Sequence, residues 1–165
     1  MSTDLTLPVG SGGYLNLRVG AVIRRNGLLL MAGNPGEDYL YSVGGRMHFG
    51  ETADEAIVRE VYEETGCRME IDRLGFIHET MFRSPFHKDA IVQEISFYYY
   101  MKVPADFEPV CKSCAGTGQP EFLRWVAPDA PEQLYPVFFR DLKDPLPAGI
   151  QHIVTNETAK QEVQA

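Results

Sequence analysis

Three glutamates on one predicted helix are the residues of this 165-residue sequence best suited to chemistry. Glu60, Glu63 and Glu64 are spaced i, i+3 and i+4, so a helix places their carboxylates over a single turn. Like charges this close repel one another, and a carboxylate that faces a core is costly to desolvate. A divalent cation would remove both penalties, whereas the alternative is a solvated acidic patch on the outer face of the helix. The spacing alone leaves both interpretations open.

The helix that carries these glutamates is predicted to run from about Ala53 to Thr65. Thr52 and Glu55 fit a capping box, in which each side chain accepts a hydrogen bond from the other residue's backbone N–H. Gly66 stands where a residue in the left-handed conformation commonly ends a helix. The sequence therefore fixes both ends of this element.

A helical wheel indicates which side of the helix meets the core. Glu60 and Glu64 lie within one apolar stripe and Glu63 lies at its edge, but Val58 and Tyr62 lie opposite. The apolar residues that share the stripe with the glutamates are Ala53, Ala56, Ile57 and Val61. The wheel predicts that this stripe faces inward without proving it.

The residues around this helix form a longer motif. Gly45, Glu51 and the run Arg59 to Cys67 resemble the Nudix box, G-x5-E-x7-R-E-U-x-E-E-x-G-U, where U is a bulky aliphatic residue. All seven fixed residues match, and such a match arises by chance on the order of 10⁻⁹ per start position. Cys67 takes the last U position, where a buried cysteine behaves as a small hydrophobe. The sequence is therefore identified as a member of the Nudix hydrolase superfamily.

The resemblance implies hydrolysis of a diphosphate bond with Mg²⁺ or Mn²⁺ as cofactor, since these cations prefer carboxylate oxygens and retained waters. The cation would polarise phosphate oxygens and lower the pKa of a bound water. The metal ligands implied are Glu60, Glu63, Glu64 and the carbonyl of Gly44 or Gly45. The catalytic residues implied are Glu51, Arg59, Glu60, Glu63 and Glu64, and the substrate-binding residues are Gly44, Gly45 and Arg46.

Two roles stay open within this assignment. The general base is either Glu60 or a carboxylate outside the box, for which Glu79, Glu94 and Glu121 are candidates. Arg59 is expected to hold the neighbouring carboxylates by bidentate contacts. The alternative for Arg59 is an ordinary surface ion pair one helical turn away.

The remaining pattern predicts an α/β (α+β) fold with a mixed β-sheet in one domain, residues 1–165, and the resemblance implies an α/β/α sandwich. Asn26-Gly27 between two apolar segments predicts a hairpin, because both turn positions need positive φ. A second helix is predicted over Pro131 to Asp141. The predicted strands are Leu15 to Arg25, Leu28 to Met31, Tyr39 to Val43, Met69 to Phe82, Ala90 to Val103 and Phe122 to Ala127.

Composition limits the partners. The net charge of −8 argues against a nucleic-acid polymer or an anionic membrane as partner, but not against a small phosphorylated substrate neutralised by a bound cation. No apolar run approaches a membrane span and no secretory signal is recognisable, so the expected compartment is the cytoplasm. Cys111 and Cys114 form one C-x-x-C, which is interpreted as two reduced thiols rather than a metal or redox site.

Three functions are compatible with this pattern. The favoured one is hydrolysis of a nucleotide sugar or a damaged nucleoside triphosphate. The second is a Nudix-fold sensor that binds a nucleotide without cutting it, although a sensor has no need of three metal-binding glutamates. The third is an interaction domain with a solvated acidic helix. A homodimer is one assembly that the sequence allows.

Overall fold

The computed structural model of the chain describes residues 3–84, 90–111 and 120–158. These ranges form two sheets and one α-helix, which confirms the α+β class. The helix, α1, is Ala53–Thr65, and a short 3₁₀ helix covers Val137–Asp141. The strands are β1 Thr6–Val9, β2 Gly13–Val22, β3 Arg24–Arg25, β4 Leu28–Gly33, β5 Tyr39–Ser42, β6 Gly44–Arg46, β7 Glu70–Arg83, β8 Ile91–Lys102, β9 Phe122–Val126, β10 Gln133–Tyr135 and β11 Gln151–Asn156.

The first sheet has the strand order β1-β2-β8-β7-β11, and β6 adds to the edge of β2 beyond β1. Strands β2 and β8 run parallel, as do β7 and β11, whereas the other pairs in this sheet are antiparallel. The second sheet has the order β10-β5-β4-β3, with β9 also on β4. Both sheets therefore mix parallel and antiparallel pairs, as predicted, although the strands divide between two sheets.

The helix α1 forms where the sequence predicts it. The Thr52 hydroxyl accepts the Glu55 N–H at 3.2 Å, the Glu55 carboxylate accepts the Thr52 N–H at 2.9 Å, and Gly66 ends the helix with φ of 71°. Ile57 and Val61 are fully buried against the first sheet, in one core cluster with Val19 and Ala21 of β2. Tyr62 on the opposite side is 42% exposed. The stripe that contains the glutamates is therefore the inward one.

A second core cluster covers the other face of the first sheet. Phe139 of the 3₁₀ helix is fully buried there, in one cluster with Phe76 of β7, Tyr98 of β8 and Leu134 of β10. The sheet thus has α1 on one face and the 3₁₀ segment on the other.

The predicted second helix, Pro131 to Asp141, is wrong. Gln133–Tyr135 forms β10, which pairs in parallel with β5, and only Val137–Asp141 is helical. Pro136 explains the break, because proline disfavours helical backbone at the residue before it and has no N–H for a continuing helix. Leu134 is buried between two exposed neighbours, which is the two-residue period of a strand.

The other elements agree with prediction in outline. Asn26 and Gly27 have φ of 53° and 79°, and Arg25 pairs with Leu28 across this turn, so the hairpin is confirmed. β7 and β8 lie within one residue of their predicted ends, whereas β1, β6 and β11 had no strand prediction. The predicted strand Leu15 to Arg25 is divided into β2 and β3. No helix among the described residues is long and apolar enough to cross a membrane.

Candidate active site

The Glu64 carboxylate is held at the junction of α1 and β6. Its side chain is largely buried, and Oε1 accepts the Gly44 N–H at 3.0 Å. The other oxygen, Oε2, is buried and has no hydrogen-bond partner within the described ranges. Burial raises the pKa of Glu64 to about 8. A carboxylate in this position is destabilised as an anion unless a cation comes to its free oxygen.

Two glycines of β6 allow close approaches of neighbouring elements, one to α1 and the other to β2. A Cβ added to Gly45 would lie 2.4 Å from Glu60 Oε1, and one added to Gly44 would lie 2.3 Å from the Val19 carbonyl oxygen. Gly44 also has φ of 146°, a conformation that residues with side chains rarely adopt. Gly45 therefore makes room for the Glu60 carboxylate of α1, whereas Gly44 lets β6 lie close against β2.

Arg59 connects the Glu51 carboxylate, which precedes α1, with the carboxylates of Glu60 and Glu63 on α1. Its Nε and Nη2 donate to the two oxygens of Glu51 at 2.7 and 2.9 Å. Its Nη1 donates to Glu60 Oε1 at 2.7 Å and to Glu63 Oε2 at 3.2 Å. Nη2 also donates to the Arg46 carbonyl oxygen at 3.0 Å. Arg59 thus contacts the residues that the motif analysis grouped with it, rather than forming a single surface pair.

The three glutamates of α1 differ in environment. The side chain of Glu60 is 13% exposed, whereas that of Glu63 is 55% exposed. Burial raises the pKa of Glu60 even though the hydrogen bond from Arg59 opposes this shift. The same arginine, through its hydrogen bond, lowers the pKa of Glu51. The inner pair is therefore Glu60 and Glu64, with Glu63 at the rim, as the helical wheel predicts.

The carboxylate oxygens at this junction are of the chemical type that a hard divalent cation prefers. No three His, Cys, Asp or Glu side chains of residues 3–84, 90–111 and 120–158 already stand together as a metal site. Glu60 and Glu63 instead accept hydrogen bonds from Arg59. The partnerless Oε2 of Glu64 and the Glu60 carboxylate beside Gly45 are the oxygen ligands that Mg²⁺ prefers.

Glu121 is the outside carboxylate that the fold brings towards Glu64. It immediately precedes β9, accepts a hydrogen bond from the Tyr41 hydroxyl of β5, and its charge contributes to the raised pKa of Glu64. Glu79 instead pairs with His152 at 2.8 Å, and Glu94 lies beside Asn16 and Arg18. Glu121 is a candidate from the sequence, but nothing in the sequence signals its contact with Tyr41 across 80 positions.

The residues that follow Gly45 lie close to the N-terminal segment of the chain. Arg46 and His48 both lie near Asp4, at 3.9 and 3.5 Å, and Phe49 is 84% exposed. Cys67 is partly buried against the core cluster of α1, in agreement with its predicted role as a small hydrophobe. Cys114 lies outside the described residues, so the structure does not test the reading of the C-x-x-C.

Replacing Arg59 by lysine is expected to lower kcat/KM by about 10- to 100-fold, because residues that orient metal ligands contribute on that scale. Lysine keeps the charge but cannot hold Glu51 through two parallel hydrogen bonds while also reaching Glu60. Steady-state kinetics over a range of Mg²⁺ concentrations measures the effect. Arg24→Lys is the matched control, since Arg24 also binds one carboxylate twice, that of Asp144. Equal losses in both variants would contradict the assigned role of Arg59.

The chain is similar to known proteins in sequence and in fold. The model of the NUDIX domain family matches residues 15–144. A MutT-like protein of Streptomyces ambofaciens is 34% identical over 64 residues, which span 39% of this chain and only 42% of that protein.

Solved structures share the fold at low sequence identity. The MutT protein of Bacillus halodurans is 17% identical, with a TM-score of 0.59 over 91% of this chain and 95% of that one. An ADP-ribose pyrophosphatase of Streptococcus suis is 15% identical, with a TM-score of 0.53 over 83% and 98% of the two chains. Since the family match extends over most of the sequence and includes the whole glutamate motif, the chain belongs to the Nudix hydrolase family.

Proposed function

We propose that this protein hydrolyses a diphosphate bond in a nucleoside diphosphate that is linked to another group, with Mg²⁺ or Mn²⁺ bound at the glutamates of α1. The observation that carries the proposal is the buried Oε2 of Glu64, which lacks a partner among the described residues. It lies in a junction made by Gly44, Gly45 and Glu60. Hydrolases of this family in general use divalent metal ions.

Each residue of the junction would have a defined part in the reaction. A bound cation supplies charge neutralisation at the phosphate oxygens and an acidified water. Glu60, Glu63 and Glu64 would hold it, and the Gly44 carbonyl is a further candidate ligand. Arg59 and Glu51 would fix the rotamers of these glutamates. Glu60 is one candidate to accept the proton of the attacking water, and Glu121 near Glu64 is another.

The substrate we propose is small and phosphorylated, either a nucleotide sugar or a damaged nucleoside triphosphate. The ADP-ribose pyrophosphatase of Streptococcus suis, which shares the fold, represents the first class. The match to the MutT-like protein covers too little of either chain to favour the second class, a damaged nucleoside triphosphate. A long nucleic acid is disfavoured because a chain with 15 basic and 23 acidic residues offers little counter-charge to a polyanion.

A substrate panel with Mg²⁺ tests the proposal directly. The panel contains nucleotide sugars, oxidised nucleoside triphosphates and dinucleoside polyphosphates, with chromatography of the products. We expect one class to yield two products that each carry a terminal phosphate, or a monophosphate and inorganic pyrophosphate. Removal of only a terminal phosphate, which yields inorganic phosphate and the remaining alcohol or nucleoside diphosphate, would contradict the proposal. Tight binding of a nucleotide with no turnover would favour the sensor.

A further inference from the structure

A polar surface lies on the sheet beside the glutamates of α1, on the face opposite the helix. In register, Asn16 of β2 pairs with Glu94 of β8, and Arg18 pairs with Ser96, which itself pairs with His78 of β7. Because side chains two residues apart along a strand share a face, these side chains all project from the same face. We call Asn16, Arg18, His78, Glu94 and Ser96 the polar floor.

The polar floor is buried to a degree that polar side chains rarely are. Asn16 is 5% exposed, His78 8% and Ser96 2%. The amide nitrogen of Asn16 donates to Glu94 Oε2 at 3.3 Å, but its Oδ1 is buried with no hydrogen-bond partner in the described part of the chain. An unpaired buried acceptor is costly to a protein. The Asn16 side chain thus contacts the Glu94 carboxylate through its nitrogen and brings a second, unsatisfied acceptor into the same part of the sheet.

Arg18 connects the polar floor to the proposed reaction centre. Its Nε lies 3.7 Å from Glu94 Oε1, and its charge acts to lower the pKa of both Glu60 and Glu64. The Arg18 side chain is 35% exposed, so the floor is open to solvent at this end. A diphosphate at the glutamates would meet the Arg18 guanidinium. The group attached to that diphosphate would then lie over Asn16 and Glu94.

Aromatic side chains line the other end of the polar floor. The ring of Phe138, from the 3₁₀ helix, lies 5.3 Å from the His78 ring and 5.4 Å from the Tyr98 ring, both at steep angles. Phe138 is only partly buried, so it can contact a ligand on its outer side. An apolar wall beside a few convergent polar groups is the usual composition of a small-molecule site.

We propose that the polar floor binds the organic group carried by the diphosphate and selects a group that presents two neighbouring N–H or O–H donors to Asn16 and Glu94. The proposal rests on the proposed function and adds the chemical class of the substrate's second half. Two sources present such donors, the ring and amino N–H groups of a guanine-type base and the 2′,3′-diol of a ribose. Both can span the acceptors of one carboxylate and its neighbouring amide oxygen.

Calorimetric titration of the full chain with GMP, IMP, dGMP and AMP tests this without requiring catalysis. If the base is read, GMP and dGMP bind about tenfold more tightly than IMP and AMP, since a hydrogen bond to a charged group contributes on that scale. If the diol is read, the three ribonucleotides bind alike and dGMP binds about tenfold less tightly. In either case Glu94→Gln and Asn16→Ala remove the difference. Glu70→Gln, at the far end of β7 and paired with Lys102, keeps it.

Two results would overturn the proposal. One is a failure of all four nucleotides to bind at millimolar concentration, and the other is unchanged preference in both floor variants when thermal unfolding shows that they are folded. Hydrolysis of the panel substrate is measured separately on the same variants. Parental KM in both variants would refute the polar floor while the proposed function stands. Preferential nucleotide binding by a parent that hydrolyses nothing would refute the function and leave the floor.

Discussion

Replacing Glu64 by glutamine is expected to lower kcat/KM by at least about two orders of magnitude, as for the loss of a primary metal ligand. Glutamine keeps the shape of the side chain, and its amide oxygen can still accept the Gly44 N–H that fixes Oε1 at 3.0 Å. What changes is the second oxygen, which is buried with no partner among the described residues and is the best-placed ligand for a cation. Steady-state kinetics on the substrate found in the panel measures the loss.

The matched control for this variant is Glu70→Gln. Glu70 is an exposed glutamate of β7 whose carboxylate pairs with Lys102 at 3.1 Å, so the same chemical change there is expected to leave kcat/KM unchanged. Thermal unfolding of both variants separates a catalytic loss from a folding defect. Since burial raises the pKa of Glu64 to about 8, the side chain is largely neutral at pH 7 without a cation, and Glu64→Gln is expected to be about as stable as the parent. Parental activity in Glu64→Gln on a confirmed substrate would refute the mechanism.

The sequence predicts the local frame of this site well because the signals are local. The capping box at Thr52 and the left-handed Gly66 set both ends of α1 within a few residues of the glutamates. The spacing of Glu60, Glu63 and Glu64 places these carboxylates over one turn, which needs only helix geometry. That the stripe with Glu60 and Glu64 faces inward is shown by the burial of Ile57 and Val61 in the structure.

The features that sequence reasoning missed depend on register between distant strands. Asn16 and Glu94 are 78 positions apart, and Tyr41 and Glu121 are 80 apart. No periodicity in one strand reveals which residue of another strand it faces. The Asn16 oxygen, which has no hydrogen-bond partner among the described residues, becomes evident only once β2 and β8 are aligned. Long-range pairing, rather than residue type, was the missing information.

Pairing with a distant strand also explains why the predicted second helix is wrong. The segment from Pro131 to Asp141 contains residues that are acceptable in a helix, and its strand portion is only three residues long, Gln133–Tyr135. That strand exists because β5 offers a free edge, and its parallel register places Leu134 opposite Leu40 in the core. The break at Pro136 can be predicted from the local sequence. The formation of a strand rather than a helix at Gln133–Tyr135 depends on pairing with β5.

Removal of divalent cations with EDTA is expected to abolish hydrolysis, and excess Mg²⁺ or Mn²⁺ to restore it. The physical reason is charge, because Arg59 is already engaged by Glu51, Glu60 and Glu63 and cannot also neutralise a diphosphate. A reaction that adds water to a crowded phosphate anion needs positive charge at its oxygens. Oxygen ligands favour Mg²⁺ and Mn²⁺ over metals that prefer nitrogen or sulfur.

Thermal unfolding measures the binding of the cation without requiring catalysis. Binding to the folded state alone stabilises it by about 2.7 kcal/mol at a hundred times the Kd, or roughly 5 to 10 °C in Tm for a chain of this size. The rise should be largely lost in Glu64→Gln and retained in Glu70→Gln, since only the first change removes a buried ligand. If Mg²⁺ raises the Tm of Glu64→Gln as much as that of the parent, the cation binds elsewhere. Glu64 would then be a buried carboxylate that the protein tolerates, because the hydrogen bond from Gly44 and the attraction of Arg18 offset part of its desolvation.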